Sequence, residues 1–174
     1  MNWLPLTTRL AVRGSEQFLK PLTSEERQDC FVIDDSLYER TGYKRTELAA
    51  RVFDHVSMRY KKGFRLLTHG WTDGCSFLPI NSVLLSSTKD ENVLGRKISF
   101  DHRTLSHKRQ DMACEKATTV MIRLLKEALH AGASARYVLF DSWFSRPRQL
   151  LDIIALRLHT IAMIKRSAKE PLIK

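Results

Sequence analysis

Two apolar runs that each stop at an aspartate constrain this chain more than anything else in it. They are Cys30-Phe31-Val32-Ile33-Asp34-Asp35-Ser36 and, about a hundred residues later, Tyr137-Val138-Leu139-Phe140-Asp141-Ser142-Trp143. An unbroken apolar run beside turn signals predicts a short strand covered on both faces. A carboxylate at the end of such a strand lies at the rim of a sheet, where ligands bind in α/β folds. If the two strands are neighbours, Asp34 and Asp141 face one another. Close carboxylates repel, and a divalent metal is the commonest relief of that repulsion. Asp35 follows Asp34 directly, so its side chain is expected on the opposite face of the strand, in a supporting or purely structural role.

The rest of the chain supplies the elements around these strands. Residues 1–29 read as a lead-in: Trp3, Leu4, Leu6 and Leu10 offer packing surface, and Thr23-Ser24-Glu25-Glu26 resembles a helix-capping sequence. Tyr38 to about Phe53 is charged and turn-rich. Ser57 to Gly70 predicts a second strand, Asp73-Gly74 a tight turn, and Cys75 to Leu85 a third strand, with Pro79 at an edge or bulge. Ser86 to Asp111 shows no period and reads as an exposed basic loop. Ala117, Val120, Met121, Leu124, Leu125, Ala128 and Leu129 share one helical face, and Gly132 is a natural stop. After the second Asp-bearing strand, Ser145 and Pro147 open a helix with the face Leu150, Leu151, Ile154 and Leu158. Thr160 to Ile164 forms a fifth strand.

Strand, strand, strand, helix, strand, helix, strand is the order of the ribonuclease-H-like α/β fold. In it an antiparallel three-strand meander is extended by parallel strands through helical crossovers. With 174 residues and 43% apolar content, the chain suits one such domain. The expected division is a lead-in over 1–29 followed by a partial domain of this fold over 30–174.

Charge and cysteines narrow the partners. Lys and Arg (29) exceed Asp and Glu (19) by ten, which favours a polyanion such as DNA. No apolar run approaches the roughly 18 residues of a membrane helix, so no membrane partner is expected. Three scattered cysteines without CxxC spacing suggest reduced thiols in a cytoplasm. The six histidines show no metal-ligand spacing. Candidate nucleic-acid contacts are Arg59, Lys61 and Lys62 in the second strand, Arg103, Lys108 and Arg109 in the basic loop, and Lys165 after the fifth strand. Trp143 and Phe144 either stack on a base or roof the core.

Two stretches carry a family resemblance: FVIDDSLYERTGYKRTELAARVFDHVSMRYKKGFRLLTHGWTDGCSFLPINSVLL and YVLFDSWFSRPRQL. From about Phe31 to Lys165 the chain resembles the DDE transposases of bacterial insertion sequences, the insertion-sequence-four-like and related groups. The landmarks are the two Asp-bearing strands and the Trp71-Thr72-Asp73-Gly74 turn. The resemblance implies DNA transposition by metal-dependent strand cleavage and transfer. It makes Asp34 and Asp141 the first and second catalytic, metal-binding acids, and Mg2+ or Mn2+ the cofactor. It also implies DNA as partner, with a second copy of the chain or an intact transposase as further candidates, at the nucleoid when DNA-bound.

The family's third acid is a Glu in a Tyr-x2-Arg-x3-Glu-x6-Lys pattern. After Asp141 this sequence has no such pattern, and Glu170 is the sole acid beyond Asp152. The expectation is therefore a truncated copy lacking the third-acid segment. Its alternative is an inactive remnant that binds DNA or a partner. A response-regulator receiver shares the acidic pair, a later strand-end Asp and a final Lys, but requires a helix directly after the acidic pair. A haloacid-dehalogenase-type phosphatase requires Asp-x-Asp, and position 36 is Ser36.

Overall fold

The computed structural model describes residues 29–54, 56–96 and 98–163. All but the last residue of the expected lead-in, together with His55, Lys165 and Glu170, lies outside them. The elements are β1 (Cys30–Glu39), β2 (Ala50–Asp54), β3 (Arg59–Thr72), β4 (Phe77–Leu85), α1 (Leu105–Ala113), α2 (Ala117–His130), β5 (Tyr137–Phe140), α3 (Pro147–Ala155) and β6 (His159–Ala162).

These strands form one mixed sheet in the order β2-β3-β1-β5-β6, with β4 also paired to β3. β3 is long enough to serve two partners along one edge. Residues 59–63 pair with β2, and residues 65–72 pair with β4. Its other edge runs antiparallel to β1, and β1 runs parallel to β5. The five strands expected from sequence are thus β1, β3, β4, β5 and β6, joined as a ribonuclease-H-like sheet.

The core lies on one face of this sheet. Phe31 and Ile33 of β1, Leu67 of β3, and Val138 and Phe140 of β5 alternate inward against Val120, Met121, Leu124 and Leu125 of α2. Each such side chain contributes about 1.5–3 kcal/mol on burial. α2 ends as its sequence requires. Gly132 takes φ 97, and the Ala133 and Gly132 N–H groups bond back to the Ala128 and Leu129 carbonyls at 3.0 and 3.1 Å. The Asp73-Gly74 turn forms with Gly74 at φ 91, and Asp73 Oδ1 accepts from the Cys75 and Ser76 N–H groups. Pro79 sits beside a register shift on β4, as an edge proline should.

Three local expectations are corrected. Part of the turn-rich stretch Tyr38–Phe53 is strand: β1 runs on to Glu39, and Ala50–Asp54 forms β2. Five residues holding only Ala50, Val52 and Phe53 as apolar members are too short to show alternation against their background. The basic segment is exposed, as expected, but Leu105–Ala113 is helical rather than loop. The helix escapes a periodicity argument because Ala113 is its one buried residue. It is held instead by the Thr104 cap on the His107 N–H and by Gln110 Nε2 donating to the Ile98 carbonyl at 2.6 Å. In α3 the buried residue is Ile153, whereas Leu151 and Ile154 are exposed. Apolar residues stand on several sides of this short helix, so tertiary packing and not periodicity selects the face.

Candidate active site

The pairing of β1 with β5 sets the site. Ile33 is the register partner of Phe140, and the next residues are Asp34 and Asp141. β1 continues beside β3, while β5 stops at Phe140 and the chain turns away in a short 3-10 helix, Ser142–Phe144. The strand ending on one side and persisting on the other opens a cleft of about 480 Å³. Asp34, Asp35, Asp54, Arg65, Asp141 and Trp143 are among its lining residues.

Only Asp141 stands at a strand end; Asp34, expected there as well, lies mid-strand because β1 runs on beside β3, and both aspartates are exposed with one oxygen engaged locally. The Ser36 hydroxyl donates to Asp34 Oδ2 at 2.6 Å. The Ser142 N–H donates to Asp141 Oδ1 at 2.5 Å, which caps the 3-10 turn. Among the described residues, no cation is paired with either carboxylate. Two hard oxygen donors, oriented and without a counter-charge, suit Mg2+ or Mn2+. No cluster of three metal-ligating side chains occurs among the described residues.

Asp35 behaves differently. Its side chain is 6% exposed and is gripped by Arg65, with Nε donating to Oδ1 at 3.1 Å and Nη2 to Oδ2. The Arg65 guanidinium in turn lies 5.7 Å from the centre of the Trp143 ring. Trp143 therefore roofs an ion pair, and Phe144 is fully buried in the core.

Asp54 is the cleft acid that sequence reasoning missed, because it falls between the turn-rich stretch Tyr38–Phe53 and the strand expected from Ser57, where no element is expected. Hydrogen bonds from the Ser57 hydroxyl at 2.6 Å and the Val56 N–H at 3.0 Å, with Lys61 at 3.2 Å, hold its carboxyl down to about 2. Both of its oxygens are thus occupied. Lys61 also meets Glu39 at 2.5 Å, and these two acids raise its pKa.

None of the basic candidates Arg59, Lys61, Lys62, Arg103, Lys108 and Arg109 lines the cleft, although Lys61 reaches Asp54 at its wall. Lys61 is committed to Glu39 and Asp54, and Arg103 to Asp101 at 3.2 Å. Lys62 is exposed and donates to the Tyr43 hydroxyl at 3.2 Å. Among the described residues, the cation that lines the cleft is Arg65. No helix of the described residues is long and apolar enough to cross a membrane.

A protein-family model described as DDE superfamily endonuclease matches residues 2–169. No curated protein matches the chain. Among solved structures, the piggyBac transposase in a synaptic complex with hairpin DNA, determined by cryo-EM, is similar at 13% identity and a TM-score of 0.40. That likeness covers 82% of this chain and 26% of the transposase, so the chain spans about a quarter of its length.

Proposed function

The chain belongs to the DDE superfamily endonucleases, and on that premise we propose that it carries the two-aspartate part of a centre that cleaves and transfers DNA strands. Nucleases of this superfamily work with divalent metal ions. In this reading Asp34 and Asp141 each present a free oxygen to the ion. The observation that carries it is the Ile33–Phe140 register, which brings both acids to one level of one cleft.

Asp34 and Asp141 would hold the divalent cation, which would neutralise charge that builds on a phosphodiester during in-line displacement. The protein's own residues do the positioning. The Ser36 hydroxyl and the Ser142 N–H fix the two carboxylates. Arg65 keeps Asp35 out of the metal's reach by binding both of its oxygens. In this reading water in cleavage, or a DNA 3′-hydroxyl in transfer, would attack the phosphorus as the P–O bond to the leaving 3′-oxygen breaks.

One observation favours a second reading, binding of DNA or of a partner without catalysis: among the described residues no third carboxylate joins the pair. Supercoiled plasmid incubated with the chain and Mg2+ or Mn2+ separates the two. Nicking that Asp141→Ala abolishes supports the nuclease. Salt-sensitive DNA binding with no nicking supports the second reading, and nicking unchanged in Asp141→Ala contradicts the assignment.

A further inference from the structure

The face of the sheet that bears Asp34 does not end at the cleft. Side chains alternate along a strand, so Asp34, Ser36 and Tyr38 of β1 share a face with Phe64, Lys62 and Tyr60 of β3 and with Phe53 and Arg51 of β2. At its far end Arg51 and Lys62 are direct register partners. Like charges directly opposite one another across two strands destabilise a sheet. Nevertheless, among the described residues no carboxylate pairs with Arg51, Lys62 or Lys44. Lys62 Nζ donates to the Tyr43 hydroxyl at 3.2 Å and stands 4.4 Å from the centre of its ring, and Lys44 follows Tyr43 in the 3-10 turn Tyr43–Arg45; Lys62 first, then Lys44 and Arg51, lower the pKa of the phenol.

Aromatic surface accompanies the cations. Tyr60 is 69% exposed and packs edge-on against Phe53 at 5.3 Å, and Tyr38 is 47% exposed. Unneutralised cations beside exposed rings are the chemistry that follows a nucleic-acid backbone. From Thr68, the partner of Asp34, to Lys62 is six residues along β3, about 20 Å at the rise of a strand. That length equals about six base-pair steps of duplex DNA.

We propose that the Arg51–Lys62 pair, with Lys44 beside it, is a second DNA-contact surface that grips the phosphates of flanking duplex about six base pairs from the bond held at Asp34 and Asp141. It rests on the DNA reading of the preceding section, and it differs from the sequence-based contacts in enlisting Arg51 and Lys44 and in discarding Lys61.

The test is fluorescence anisotropy with a labelled 20-base-pair duplex over a range of salt. Arg51→Ala/Lys62→Ala removes two exposed, mutually repelling charges and leaves the fold intact, which circular dichroism verifies. The expected result is binding weakened about tenfold at 0.1 M salt and a log–log salt slope smaller by about two, one for each lost phosphate contact. Lys116→Ala/Lys126→Ala, the same charge change on the helical side, is expected to leave the slope in place. An unchanged slope in the first variant, or equal losses in both, overturns this inference alone. Failure of the unaltered chain to bind the duplex overturns the DNA reading with it.

Discussion

Ile33 and Phe140 are register partners across the parallel β1–β5 pair, and each is followed by an aspartate. Both are buried, at 2% and 4% exposure, so the pair is pinned by the core and not by anything in the cleft. The separation of the two carboxylates is thereby set by strand pairing. A site built this way keeps its geometry when either acid is replaced, which allows its parts to be tested one at a time.

Arg65→Ala is expected to destabilise the domain by about 2 kcal/mol, seen as a lower urea midpoint. The loss takes the guanidinium from a carboxylate whose side chain is 6% exposed, and a nearly buried charge without its partner costs several kcal/mol; the 24% exposure of Arg65 reduces the figure. Replacing both partners, Arg65→Met with Asp35→Asn, should cost less than Arg65→Ala alone. A double variant less stable than the single one would contradict this.

His69 is fully buried; its Nδ1 lies 3.0 Å from Asn81 Oδ1, and its Nε2 has no partner among the described residues. Burial pushes its pKa down to about 4 despite the Asn81 contact, against about 6.5 in the unfolded chain. Between those values the unfolded state binds the extra proton, so stability falls as pH drops from about 6.5 to about 4, by about 3 kcal/mol in all. Chemical denaturation across that window should show the slope, and His69→Leu should flatten it. A slope that survives in His69→Leu would assign the effect elsewhere.

Gly63 marks a close approach of backbones. A Cβ there would fall on the Tyr38 carbonyl oxygen, whereas one at Gly42 meets nothing within 4 Å. Gly63→Ala is therefore expected to cost more than about 2 kcal/mol by disturbing the β1–β3 pairing. Gly42→Ala should stay within about 0.5 kcal/mol, and equal thermal shifts for the two would refute the contrast.

What was legible in the sequence was whatever depended on local pattern. The apolar runs before Asp34 and Asp141, the seven-residue face of α2, the Asp73-Gly74 turn and Pro79 at an edge each carry their own signal, and together they point to the fold class. Less legible was whatever depended on a distant partner. β2 exists because β3 extends to Arg59 and needs a neighbour. α1 exists through its cap and the contacts of Gln110. The pairing of Asp35 with Arg65, thirty residues on, and the tethering of Asp54 by Ser57 and Lys61 leave no spacing signature. That is why Asp54 escapes the sequence reading and Lys61 stands there as a candidate nucleic-acid contact.

The central claim is that Asp34 and Asp141 hold one divalent ion between them, and Mn2+ titration followed by electron paramagnetic resonance tests it most directly. Asp34→Asn and Asp141→Asn are each predicted to weaken binding about tenfold or more, the double variant little further, and Asp152→Asn on exposed α3 not at all. Mn2+ bound as tightly by Asp141→Asn as by the unaltered chain would contradict the account.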